Sequence, residues 1–140
     1  MEGIQAAYRL RVLFEQKITA EYYDSFKGRF GRVQVEVLSY LYDHHNVRIQ
    51  ELADTLNISK QHASKIIARL EDQELVTKNA DPQDGRSSLF CLSDSGMQLM
   101  EEHLALSNQL FEQRLRKLPH QDQQAMLSAM EFTASILERL

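Results

Sequence analysis

Cysteine is almost missing from this chain. Cys91 stands alone, which excludes an internal disulfide and a CxxC zinc framework. No apolar run approaches the ~20 residues that would span a bilayer, and there is no P-loop or GxGxxG to cradle a phosphate. The N-terminal stretch MEGIQAAYRLRVLFEQ carries charges at Glu2, Arg9 and Arg11 and lacks the apolar core and small-residue cleavage site of a signal peptide. These absences predict a cytoplasmic protein with no metal, no cofactor and no membrane partner. Charge of one sign is missing too. Sixteen Lys and Arg against twenty Asp and Glu leave a net charge of −4, so neither disorder nor a basic nucleic-acid coat is written into the composition. With 43% hydrophobic residues, a chain of 140 residues is expected to fold as one domain.

What the chain has is helical periodicity. Ile4, Ala7, Tyr8, Phe14, Ile18 and Tyr22 predict one long amphipathic helix over Ile4 to Phe26, broken by the two glycines of KGRFGR. In VQVEVLSYLYDHH, Val33, Val35 and Val37 alternate like a strand. Val33, Val37, Leu38, Leu41 and Tyr42 follow a helix over a longer stretch, so a helix is expected. IQELADTL places Ile49, Leu52, Ala53 and Leu56 on one face of a two-turn helix. Asn57 suits its left-handed end, and Ser59 is a preferred N-cap for the next helix. That second helix, Lys60 to about Glu74, turns Ala63, Ile66, Ile67 and Leu70 inward. Gln61, Lys65 and Ala68 then point away, with Ser64 and Arg69 on the shoulders. LVTK and SSLFCLS read as two strands of a hairpin with Asp84-Gly85 near its tip. Ser93 caps a helix running to about Leu118, and Pro119 opens a last one ending at Leu140.

Two helices joined by a short turn and followed by a hairpin is the order of a winged helix-turn-helix. The run IQELADTLNISKQHASKIIARLEDQELVTKNADPQDGRSSLFCLSDSG strongly resembles the DNA-binding core of MarR-type bacterial transcriptional regulators. The resemblance is most specific in the wing, where the family's D-x-R and L-[ST]-x-x-G meet Asp84, Arg86, Leu92, Ser93 and Gly96. Glu74 departs from it, because the family often has glycine there, which leaves the local backbone turn open. The resemblance implies a mainly α fold with a small β-hairpin wing, a winged helix-turn-helix core at 33–96 flanked by dimerisation helices at 1–30 and 104–140, all in a single domain. It also implies a homodimer, usually a repressor and not an enzyme, that binds a pseudo-palindromic operator in double-stranded DNA. Release by a small-molecule or redox signal is part of the same expectation, with no ligand-lining residue assigned.

An α-helix fits the major groove, and side chains near its N-terminus reach base edges. Gln61, Ser64 and Lys65 are the expected base readers; Ser59 and Lys60 would meet phosphates at the positive end of the helix dipole. His62 and Arg69 complete that face. Between Asn46 and Phe90 six basic residues face seven acids, yet Lys60 to Arg69 holds three cations and no acid, so positive charge is focused on the reading face. Such residues form a solvated helix face in most proteins, and the helix-turn-helix spacing favours DNA contact instead.

Arg86 sits alone at the hairpin tip, where the narrow minor groove of A·T-rich DNA would attract a guanidinium. By spacing alone a solvated turn residue is the commoner reading. The MarR resemblance reverses it, because that wing uses an arginine at this place; Asp84, two residues before, is expected to orient it through a bidentate pair rather than bind DNA itself. The five histidines, His44, His45, His62, His103 and His120, are scattered and expected to be solvated rather than metal-bound. Cys91 is expected to be a small buried hydrophobe, with an oxidant sensor as the rarer alternative. The competing functional reading is a winged-helix module for protein contact, without an operator.

Overall fold

The computed structural model describes residues 2–140. Helix α1 (Gly3–Phe14), a π-helical turn (Glu15–Thr19) and α2 (Ala20–Asp24) run on without a break, since Phe14, Glu15, Thr19 and Ala20 all keep helical backbone angles. The expected single N-terminal helix is therefore present. The π turn inside it, which widens the hydrogen-bond ladder by one residue, leaves no mark on the apolar spacing. Burial is uneven along it: Ile4 and Tyr8 are exposed, whereas Tyr22 packs against the core and Phe26, just past α2, is fully buried.

The ambiguous valine stretch is helical. Helix α3 (Arg32–Asp43) buries Val35, Val37, Leu38 and Leu41. Helix α4 (Ile49–Leu56) buries Leu52 and Ala53, and Asn57 closes it in the left-handed region at φ 54°. Ser59 then caps α5 (Lys60–Asp72), its Oγ accepting the His62 N–H at 3.0 Å. All four residues expected to point inward from α5 are buried. Strands β1 (Val76–Ala80) and β2 (Ser88–Leu92) pair antiparallel, from Val76 opposite Leu92 to Ala80 opposite Ser88. Val47, just before α4, forms an isolated bridge to Phe90 on β2. Helix α6 (Asp94–Leu115) and helix α7 (His120–Leu137) each end three residues before the expected point.

The core gathers Phe26, Leu38, Leu41, Leu52, Ile67, Leu70 and Met100. The junction from α5 into β1 is tight. Glu74 takes φ 60°, the left-handed turn a glycine would make freely. The Ser93 hydroxyl donates to the Glu74 carbonyl at 2.6 Å and its backbone N–H to the Leu75 carbonyl at 2.9 Å, while its Oγ accepts the Gly96 N–H at 3.1 Å. Gly96 lies so close to Leu75 that an added Cβ would stand 2.2 Å from the Leu75 carbonyl oxygen. The Ser93 and Gly96 pattern is therefore a backbone clamp between the end of α5 and the start of α6. Two compact units result, one running to Ala105 and the other covering Leu106–Leu140. Among the described residues no helix is long and apolar enough to cross a membrane.

Candidate nucleic-acid interface

Because its inner stripe is committed to the core, α5 must present everything else to solvent. Lys60, Gln61, His62, Ser64, Lys65 and Arg69 are all exposed, as is the capping Ser59. Among the described residues no carboxylate pairs with Lys60, Lys65 or Arg69. A groove of about 520 Å³ separates this face from the start of α3, lined by Gly31, Arg32, Gln34, His62, Lys65 and Arg69 among others. The cations around it are not equivalent. Arg32 is bonded to Glu15, lies 3.5 Å from Glu36 and stacks 4.6 Å over the Tyr23 ring. The Arg32 hydrogen bond holds the Glu15 carboxyl below its ordinary range and raises the guanidinium in turn. The positive charge left free on the groove is thus that of α5 itself.

The hairpin places Arg86 at an exposed tip without an ion-pair partner among the described residues. Asp84 does not hold the guanidinium in a bidentate pair. Its Oδ1 accepts the Arg86 backbone N–H at 3.0 Å and its Oδ2 the Ser87 hydroxyl at 3.1 Å. Two residues is the reach of an Asx turn, so the carboxylate folds back on the loop's own backbone and leaves the arginine side chain free. The acid that does meet an arginine is Asp81. It is buried at 3% exposure, and its Oδ2 accepts from Arg48 Nε at 2.9 Å and Nη2 at 2.6 Å. The N–H of Gln83 first, and Arg48 next, hold this carboxyl below its ordinary range. A separation of 33 residues hides this pair from sequence reasoning.

The histidines divide. His103 is not solvated: it stacks on Phe26 with ring centres 3.8 Å apart and meets Ser25 Oγ at 2.9 Å. Burial, and then Arg29, push its pKa down. His44 is exposed but lies on the Tyr40 ring, 4.1 Å between centres. No group of three His, Cys, Asp or Glu among the described residues could hold a metal. Cys91 is only half-buried, its Sγ 3.0 Å from Thr77 Oγ1.

A short helix, a left-handed turn, a capped helix with an exposed cationic face and an adjoining hairpin make a winged helix-turn-helix. Residues 31–88 match the family model described as MarR family. Among curated proteins it is similar to the uncharacterized HTH-type transcriptional regulator YxaD of Bacillus subtilis, 26% identical over 84% of this chain and 82% of that one. It is also similar to the HTH-type transcriptional repressor MdtR of the same organism, 28% identical over 99% and 86%. Among solved structures it shares its fold with MepR, a transcription regulator of the Staphylococcus aureus multidrug efflux pump MepA. The TM-score is 0.73 at 20% identity, over 94% of this chain and 97% of that one. A mutant of MepR solved bound to an oligodeoxyribonucleotide matches with a TM-score of 0.68 at 20% identity, over the same shares of the two chains. Proteins of this family regulate transcription and are not enzymes.

Proposed function

We propose that the protein is a cytoplasmic, homodimeric, sequence-specific DNA-binding repressor of a pseudo-palindromic operator, released by a small-molecule or redox signal. The observation that carries this reading is the acid-free stretch Lys60–Arg69 of α5, with Lys60, Lys65 and Arg69 exposed and, among the described residues, without an ion-pair partner. Gln61, Ser64 and Lys65 read base edges in the major groove, Ser59, Lys60, His62 and Arg69 support that contact, and Arg86, on a loop ordered by Asp84, enters the minor groove. Residues 33–96 form the DNA-binding lobe, with 1–30 and 104–140 joining two subunits within one domain. The printed descriptions of MdtR as a repressor and of a MepR mutant bound to an oligodeoxyribonucleotide support the same reading.

A winged-helix module for protein contact is the competing reading, favoured by the near-balance of six bases and seven acids between Asn46 and Phe90. Incubation with random duplex fragments, followed by sequencing of those retained, separates the two. Enrichment of a two-fold symmetric site supports the repressor, and recovery of unselected sequence removes it.

A further inference from the structure

Among the described residues Asp81 is the one charged side chain buried in the fold, and neither the α5 face nor the hairpin tip accounts for it. It stands where β1 ends and the wing loop, 81–87, begins. Three donors converge on its carboxylate: Nε and Nη2 of Arg48 on Oδ2, and the Gln83 N–H on Oδ1 at 2.9 Å. Its own N–H donates to the Ser87 carbonyl at 3.2 Å, across the mouth of the loop. Arg48 immediately precedes α4, and its neighbour Val47 exchanges two backbone hydrogen bonds with Phe90 of β2, each 2.9 Å. The segment entering α4 therefore grips β2 by backbone and the loop by a side chain. Outward of Asp81 the loop residues bond only to one another and to Asp81, through Asp84 with Arg86 and Ser87.

A buried carboxylate loses its hydration, and its ion pair commonly returns no more stability than apolar side chains of the same volume would give. What a planar guanidinium with two N–H groups on one oxygen does supply is a fixed direction. We propose that Asp81, through Arg48, is the positioning residue of the wing: it fixes the angle at which the loop leaves the lobe, and hence where Arg86 arrives on DNA. The inference rests on the minor-groove reading of Arg86 above.

The test is fluorescence anisotropy on the duplex recovered by selection, with Asp81→Asn, Arg86→Ala and the double variant, each checked by circular dichroism. Asp81→Asn keeps the side-chain volume and removes the charge. It is expected to weaken binding roughly fivefold and make the salt slope shallower, a share of the roughly tenfold loss from removing a cation at the phosphates. In the Arg86→Ala background the same change should matter less than about twofold, because coupled residues are not additive. Arg48→Gln, which leaves the carboxylate an amide donor, is expected to behave like Asp81→Asn and serves if that variant does not fold. If Arg86→Ala weakens binding while folded Asp81→Asn or Arg48→Gln does not, this inference alone is overturned. Equal losses with and without Arg86 would reduce the pair to holding the lobe together. An Arg86→Ala variant with wild-type affinity would remove the minor-groove reading and this inference with it.

Discussion

Helices α5 and α7 are both rich in apolar residues, yet α5 gathers Ala63, Ile66, Ile67 and Leu70 on one buried stripe while α7, whose apolar residues are spread round the helix, has no buried residue. Leu127, Phe132, Ile136 and Leu137 of α7 are exposed, as are Ile4, Tyr8, Leu10 and Leu13 of α1. The difference teaches that a single apolar stripe marks a face the chain itself covers, whereas apolar content without a stripe leaves the cover unnamed. For α5 the cover is the chain's own α4 and β1. For α1 and α7 the cover proposed above is a second copy of the chain, a two-fold dimer being the commonest way to bury such area.

The sharpest way to break this contrast is to cut an apolar side chain in each region. Ile67→Ala should destabilise the protein by about 2–5 kcal/mol, through a cavity no neighbour can fill, at any protein concentration. Chemical denaturation with an unchanged slope would measure it; a loss below about 1 kcal/mol would mean that α5 is not core. Phe132→Asp should leave the lobe folded but turn a dimeric mass by light scattering at micromolar concentration into a monomeric one. Operator affinity should then fall on the order of a hundredfold, because two half-sites are no longer engaged together. A wild-type protein that is already monomeric would remove the dimer from the proposal.

Arg86→Ala comes next in size. Affinity should drop about tenfold and the slope of log affinity against log salt should flatten by about one unit, with larger losses on A·T-rich than on G·C-rich flanks. Binding to two duplexes that differ only in their flanks decides it. A smaller change, of opposite sign, belongs to Glu74, whose φ of 60° is strained for a side-chain-bearing residue. Glu74→Gly should stabilise by roughly 0–1.5 kcal/mol, the ~1–2 kcal/mol of left-handed strain less the ~0.4–1 kcal/mol of the glycine's extra freedom when unfolded. A lower melting temperature in calorimetry would contradict that.

The last effect is one of pH. His103 is held neutral in the fold, so its folded pKa lies below its unfolded value near ~6.5. The unfolded chain binds the extra proton, and the contribution of His103 is present above that unfolded value and declines as pH falls below it. Denaturation midpoints at pH 7.5 and 5.5 should differ less in His103→Gln than in the wild type.

Much of the lobe was legible because its determinants are local. The i, i+3, i+4 pattern found every inward residue of α5, and Asn57 and Ser59 announced the turn and cap that the backbone shows. What stayed hidden was set by distance or by competition. Arg48 and Asp81 meet only after the chain has folded. Asp84 had two partners within reach, and the nearer backbone N–H won over the guanidinium. His103 lay among scattered histidines until α6 brought it onto Phe26. For the interface, exposure and charge were readable from the outward face, whereas the neutralising of Arg32 by Glu15 depends on where the π turn puts that acid.

The contact of Gly96 with the Leu75 carbonyl leaves the root of α6 no room for a side chain. Helix α6 has 22 residues, and at 1.5 Å per residue it is about 33 Å long, so a tilt of about 10° at the root sweeps its far end through roughly 6 Å. A bulkier residue at position 96 would not simply crowd that joint. It would push on the Leu75 carbonyl that also accepts the Ser93 N–H, and so disturb the entry into β1 at Val76.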